Sequence, residues 1–162
     1  MNLNTRIGIG HDTHRLKEGG PLRLGGIDIP HTHSLDGHSD ADVLLHAVTD
    51  AILGASALGD IGEMFPDTAA ENKGRDSADM LQLAAAAVRE SGFEIGNLDC
   101  IVFAEKPKLS PHKRPIASRI AEILGISADQ VGVKAKTGEG VGQVGTGEVM
   151  LAQCVALVYR TG

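Results

Sequence analysis

The amino-acid sequence predicts a single α+β domain over residues 1–162, with a mixed β-sheet and helices packed on one face. Three observations carry this reading. The segments run in the order strands, helix, helix, strand, helix, strand, strand. A strand–helix–strand unit between about Asp99 and Lys136 calls for a parallel pair. The last apolar segment, Val149–Tyr159, is long enough that the sheet face left open by the helices is expected to meet other copies of the chain.

Composition narrows the class. Hydrophobic residues make up 42% of the chain, enough for a sizeable core, while aromatics are only 2%, so the core is aliphatic and base stacking is poorly served. A net charge of −6 argues against a nucleic-acid surface, and an anionic substrate would need local cations or metal ions. Cys100 and Cys154 sit in apolar runs without a CxxC pairing and read as buried thiols of a reducing compartment. No stretch is long enough to span a membrane and none resembles a signal peptide, so a cytoplasmic protein is expected.

Taken in order, Arg6–Gly10 is a short first strand. Leu22–Leu24 and Ile27–Ile29 form a hairpin turning at Gly25-Gly26, and Pro30–Gly37 is a loop with solvated His31 and His33. A helix runs from Ala41 to about Ala57, capped by Ser39 or Asp40 and buried along Leu44, Leu45, Val48, Ala51, Ile52 and Ala55. Leu58–Thr68 breaks both periodicities and is an irregular acidic loop. Asp76 or Ser77 caps a second helix through about Glu90, stopped by Gly92. Leu98–Ala104 is a central strand. Ser110 and Pro111 open a third helix ending near Gly125, preceded by the most basic patch of the chain, Glu105–Arg114. Gln130–Thr137 is a strand followed by a glycine-punctuated loop containing Glu139.

The candidate chemistry begins at the first strand. Residues two apart on a strand point the same way, so Asp12 and His14 present a carboxylate and an imidazole together. With His46 from the facing helix they would make a three-ligand Asp/His/His site with an open fourth position, the pattern of catalytic zinc. The bland alternatives are an ordinary strand-end turn and a satisfied half-buried histidine. Asp42, His46 and Asp50 fall four apart on one stripe. Asp50 is a candidate to fix the His46 ring from behind, while Asp42 reads equally as a cap-region acid. A metal site, a further carboxylate at Glu139 and phosphate-compatible loops together point to diphosphate chemistry.

Five motifs in fixed order extend this over essentially the whole chain: Asp12-Thr13-His14; His38-Ser39-Asp40-Ala41-Asp42 with His46; Leu58-Gly59-Asp60-Ile61-Gly62 with Phe65-Pro66-Asp67; Pro107-Lys108-Leu109; and Lys134-Ala135-Lys136-Thr137-Gly138-Glu139. In these the chain resembles the 2-C-methyl-D-erythritol 2,4-cyclodiphosphate synthase family. The resemblance implies a phosphorus–oxygen lyase of non-mevalonate isoprenoid synthesis, working as a homotrimer with active sites between subunits. It implies zinc on Asp12, His14 and His46, and a second divalent ion, Mg2+ or Mn2+, bridging the substrate diphosphate with help from Glu139. The 2-phosphate of 4-diphosphocytidyl-2-C-methyl-D-erythritol 2-phosphate would attack the β-phosphorus and release CMP.

By the same resemblance His38 and Thr137 stabilise the transition state, and Asp12, Thr13, His14 and Ser39 lie against substrate. Asp60, Ile61 and Gly62, with Phe65, Pro66, Asp67, Thr68 and Ala69, hold the methylerythritol part. Ala104, Glu105, Lys106, Pro107, Lys108, Leu109 and Ser110, with Lys136, Thr137, Gly138 and Glu139, form the cytidine and diphosphate pocket. Gln143 and Thr146 stand where many members carry an aromatic and an arginine that contribute to substrate contacts and to an axial cavity able to hold an isoprenoid diphosphate. Their identity here speaks against anion binding in that cavity and not against the catalysis. Two rival classes share the motifs: a zinc hydrolase of phosphate esters, and a non-catalytic metal- or nucleotide-binding trimer.

Overall fold

The first strand, β1 (Thr5–Glu18), is fourteen residues long, well beyond the five expected at Arg6–Gly10. Its neighbours account for the difference. β1 pairs antiparallel with β7 (Val149–Arg160) from Thr5 opposite Tyr159 to Arg15 opposite Val149, and with β4 (His33–Asp36) over Arg15–Glu18. A tract rich in Gly and His has weak strand propensity of its own, and ladders on both edges override it. The computed structural model that shows this describes residues 4–161. Pro30–Gly37 is therefore corrected: its second half is the edge strand β4. The hairpin of β2 (Leu22–Leu24) and β3 (Ile27–Ile29) forms as expected, with Gly25 and Gly26 at φ of 61° and 76° in its turn.

Five strands order as β4-β1-β7-β5-β6, where β5 is Phe93–Phe103 and β6 is Val131–Lys136. β5 and β6 are parallel and the other pairs antiparallel, which is the mixed sheet the sequence predicts. β5 starts five residues before Leu98, because Phe93–Ile95 continue the ladder with β7 beyond an irregularity at Gly96.

Three longer helices cover one face: α1 (Val43–Ala55) on β1 and β7, α3 (Ser77–Glu90) on α1, and α4 (Lys113–Leu124) on β6. Between them lies the single turn α2 (Ile61–Met64), capped by Asp60, and a 3₁₀ turn at Ala70–Asn72, so the acidic loop is more ordered than its composition suggests. α4 is preceded by a 3₁₀ turn at Ser110–His112 and has no side-chain cap from Ser110. It ends, as expected, at Gly125 in the left-handed conformation. Alternate residues of β7, namely Met150, Ala152, Cys154, Ala156 and Val158, are fully buried beneath the helices. Cys154 Sγ lies 3.6 Å from Cys100 Sγ, both as buried free thiols. The other face is open, with an apolar row in which Ile7 is 75% and Ile9 69% exposed and Val155 and Tyr159 lie beside them on β7.

The start of α1 corrects a further expectation. The cap is Asp42, and the helix runs from Val43 rather than Ala41. Asp42 is wholly buried, and its carboxylate accepts Leu45 N–H at 3.0 Å, Gly25 N–H at 2.9 Å and Gly26 N–H at 2.7 Å. One side chain thus closes the helix and pins the β2–β3 turn to it, satisfying donors that burial would otherwise leave orphaned. Burial pushes its carboxyl above the ordinary range, against the three backbone donors. Asp42 is a structural acid.

Candidate metal centre and its cavity

β1 turns Gly8, Gly10, Asp12 and His14 toward α1, and the absence of side chains at the two glycines lets the helix lie against the strand. A Cβ on Gly10 would sit 1.8 Å from the Ala47 carbonyl oxygen. This close approach brings His46, on the one stripe of α1 that is not fully buried, to the end of the Asp12–His14 pair. Asp12 Oδ2 lies 2.9 Å from His14 Nε2 and 3.0 Å from His46 Nδ1, and the two nitrogens are 3.2 Å apart.

Each imidazole has its other nitrogen engaged behind the site. His14 Nδ1 is 2.8 Å from the Asp36 carbonyl oxygen, which can only accept, so Nδ1 carries a proton and Nε2 offers a lone pair when the ring is neutral. His46 Nε2 meets Ser77 Oγ at 2.8 Å and Ser39 Oγ at 3.1 Å.

Three electron-rich atoms converging at this distance call for a cation between them. Ligand bonds of about 2.0–2.1 Å put neighbouring ligand atoms about 3.0 Å apart in octahedral and 3.3 Å apart in tetrahedral coordination, and the observed 2.9–3.2 Å lies within about 0.1 Å of the octahedral value for two sides and of the tetrahedral value for the third. Two imidazoles and one carboxylate are donors suited to zinc and other first-row transition ions. Asp12, His14 and His46 are also the group among the described residues that could hold a metal ion. Without an ion, a proton serves. Burial drives the Asp12 carboxyl up, but hydrogen bonds and charge from His14 and His46 together hold it well below the usual carboxylate range. Burial likewise disfavours imidazolium at His14, and the Asp12 hydrogen bond and charge reverse this and raise its pKa.

The triangle borders a cavity of about 210 Å³ that also takes in His38, Ser39, Ile61, Gly62, Phe65 and Asp67 from the expected residues. Phe65 is held by Arg75, whose guanidinium lies 5.2 Å from the ring centroid, and Asn72 ties the loop by donating to the Pro66 carbonyl at 2.8 Å. Asp50 lines the same cavity but does not support the His46 ring. Its carboxylate accepts Ile61 N–H at 2.8 Å and so fixes α2 at the rim. Burial, with Asp60 and Asp12 nearby, raises its pKa.

The remaining expected residues divide in two. Thr13 points to the opposite face of the sheet, where its hydroxyl meets His11 Nε2 at 3.3 Å, and Asp60 is spent as the α2 cap. Pro66, Thr68 and Ala69 belong to the same segment but do not line the cavity. Ala104–Ser110, Lys136–Glu139, Gln143 and Thr146 form a second cluster at the far end of β5 and β6. Glu105 accepts Gly138 N–H at 2.9 Å, Thr137 bonds Glu139, and Glu139 takes a left-handed φ of 52°. Leu109 is buried in the core, and Thr146, at the end of α5 (Gly142–Gly145), donates its hydroxyl back to the Gly142 carbonyl. Glu105, Lys106 and Thr146 border a separate cleft of about 470 Å³ with His31 and His33, so these two histidines lie on a pocket wall. Within one chain Glu139 does not join the Asp12–His14–His46 group. Sequence patterns do not mark Asn72 and Met80, which line the first cavity, or the buried Ser77, which meets His46 Nε2. Ser77 reads only as one of two candidate caps, and no spacing rule marks the other two.

The chain matches the YgbB family over residues 5–159. It is 55% identical to the 2-C-methyl-D-erythritol 2,4-cyclodiphosphate synthase of Chromobacterium violaceum, across 96% of this chain and 98% of that one. Its fold superposes on the bifunctional IspDF of Campylobacter jejuni with a TM-score of 0.93 and 42% identity, covering 97% of this chain and 42% of that longer one. A CDP complex of Plasmodium falciparum IspF superposes with a TM-score of 0.86 at 32% identity over the full length of both chains. A sequence match of this extent, a shared fold and an Asp/His/His centre lead to one conclusion: the chain belongs to the YgbB family, that of the 2-C-methyl-D-erythritol 2,4-cyclodiphosphate synthases.

Proposed function

We propose that this chain cyclises 4-diphosphocytidyl-2-C-methyl-D-erythritol 2-phosphate to 2-C-methyl-D-erythritol 2,4-cyclodiphosphate and CMP, as a phosphorus–oxygen lyase in a single-domain, cytoplasmic protein. The observation that carries this is the convergence of Asp12 Oδ2, His14 Nε2 and His46 Nδ1 on a cavity in a chain of this family. An oxygen of the substrate's 2-phosphate bonds to the β-phosphorus, and the bond from that phosphorus to the CMP oxygen breaks, its electron pair leaving with CMP. The nucleophile belongs to the substrate, so the protein's task is to position groups and to neutralise charge.

Asp12, His14 and His46 would hold zinc, and a bound divalent ion supplies charge neutralisation and a fixed geometry to phosphoryl oxygens. A second ion, magnesium or manganese, would have Glu139 as its protein contact. Ser39 and His38 offer hydrogen bonds to phosphate oxygens in the cavity, Ile61, Phe65 and Met80 form its apolar wall, and Asp67 accepts from the sugar-alcohol hydroxyls. Lys106, Lys108, Thr137 and the Gly138 backbone would receive the cytidine diphosphate part, a role in keeping with the CDP complex of the Plasmodium relative.

These two halves meet if copies associate through the open sheet face, in a homotrimer whose sites lie between neighbours. The exposed apolar row of Ile7, Ile9, Val155 and Tyr159 supports this. Ile9→Lys, on that face and away from the helices, is then expected to give a folded monomer by light scattering with little CMP release. An unchanged oligomer would remove this face from the assembly. The reaction itself is tested by ³¹P NMR of the products. A cyclic diphosphate formed in step with CMP is expected, and an open-chain diphosphate would instead establish a hydrolase.

A further inference from the structure

We propose that Ser77, held by Asp40, orients His46 as a metal ligand and leaves the Ser39 hydroxyl free to act in the cavity. The inference rests on the reading of Asp12, His14 and His46 as a metal site. If His46 is to offer the Nδ1 lone pair toward Asp12 and His14, its proton must sit on Nε2 and find an acceptor there. Two hydroxyls are in reach, Ser77 at 2.8 Å and Ser39 at 3.1 Å.

Only one of the two has its polarity fixed. Ser77 is wholly buried and donates its hydroxyl proton to Asp40 Oδ1, while its backbone N–H reaches Asp40 Oδ2 at 3.1 Å. A hydroxyl committed as donor to a carboxylate has only lone pairs left for the imidazole, so it dictates the Nε2–H tautomer. Asp40 is itself held, accepting Asp42 N–H at 3.2 Å and lying 3.8 Å from the Arg23 guanidinium. The chain Asp40–Ser77–His46 therefore links the start of α3 to the ligand on α1, on the side of the ring away from Asp12.

Ser39 is placed differently. Its oxygen accepts Ala41 N–H at 3.2 Å, and it borders the cavity, where its proton can meet an anionic oxygen. The neighbouring residues Ser39 and Asp40 thus serve different ends: Ser39 faces a ligand in the cavity, and Asp40 fixes the Ser77 hydroxyl on the same His46 nitrogen.

Zinc affinity of the full chain, measured against a competing chelator at fixed pH, tests this without reference to turnover. Ser77→Ala should weaken zinc binding about 10- to 100-fold, the usual cost of losing a partner behind a metal-bound histidine. Ser39→Ala should stay close to the parent. Parent-like affinity in a folded Ser77→Ala variant, or an equal loss in Ser39→Ala, overturns the assignment. Should Ser77→Ala fail to fold, ¹⁵N NMR of the zinc-loaded parent decides. Metal on His46 Nδ1 with a proton on Nε2 is expected, and metal on Nε2 overturns it. A parent chain that takes up no zinc would bring down the metal reading itself, a result distinct from a Ser77 variant that binds normally.

Discussion

His46→Ala is expected to slow CMP release at least about a thousandfold while the protein stays folded. Removing one of three ligands empties the site at ordinary metal concentrations, and the lost charge stabilisation of several kcal/mol corresponds to about three orders of magnitude in rate. The fold should survive for local reasons. Alanine is a better helix former than histidine, the ring borders a cavity rather than packed core, and Asp12 and His14 remain paired at 2.9 Å. The measurement is a joint one of bound zinc, CMP release and thermal midpoint. A variant that turns over like the parent removes His46 from the site, and one that unfolds shows a structural role instead. Zinc uptake should also weaken as pH falls, because the ion must displace a proton from His14. That proton is held more tightly than on a free imidazole, first of all through the Asp12 hydrogen bond overcoming burial. The parent should therefore release protons on binding zinc, and uptake indifferent to pH would contradict the ligand set.

The parts of this site that sequence exposes are those governed by local periodicity. Asp12 and His14 share a face because a strand repeats every two residues, and His46 stands out as an imidazole on an otherwise apolar helix. Periodicity says nothing about where a helix begins within a run of candidate caps. Ser39, Asp40 and Asp42 are all competent, and the choice fell to Asp42 because two further donors, Gly25 and Gly26 N–H, arrive from a hairpin sixteen and seventeen residues away. The same long-range cause made a strand of His33–Asp36, which only the length of β1 reveals. Asp50 shares the His46 stripe, yet side chains four apart need not touch, and the nearer donor at Ile61 claimed it. The residues proposed to receive the cytidine part stand out by motif alone. They lie in the loops that follow β5 and β6, and the spacing of one chain does not relate them to the Asp12–His14–His46 group.

Gly10→Ala is expected to be the most destabilising single methyl that can be added to this chain near its site. On sequence the glycine reads as a neutral residue of a first strand, but its role is to let α1 approach the sheet. A Cβ there would lie 1.8 Å from the Ala47 carbonyl oxygen and 2.8 Å from Ala51 N, where ordinary contact begins at 3.4 Å. Both are backbone atoms of a helix whose other faces are packed, so no flexible side chain can yield. Gly8 repeats the arrangement one turn on, 2.2 Å from the Ala51 oxygen. The helix would have to retreat as a body, at an overpacking cost of about 3 kcal/mol or more, which for a chain of this length lowers the thermal midpoint by roughly 6–12 °C. Because His46 precedes Ala47 on that helix, the same retreat would open its 3.0 Å approach to Asp12 and weaken zinc binding along with stability. Gly54→Ala supplies the control. It lies on the same helix with the nearest neighbouring atom 4.0 Å away, so the gain in helix propensity should leave stability equal or raise it by up to about 1 kcal/mol. If Gly10→Ala melts within about 2 °C of the parent, the helix does not rest on the strand backbone, and the placement of His46 must come from its neighbours on α3 instead.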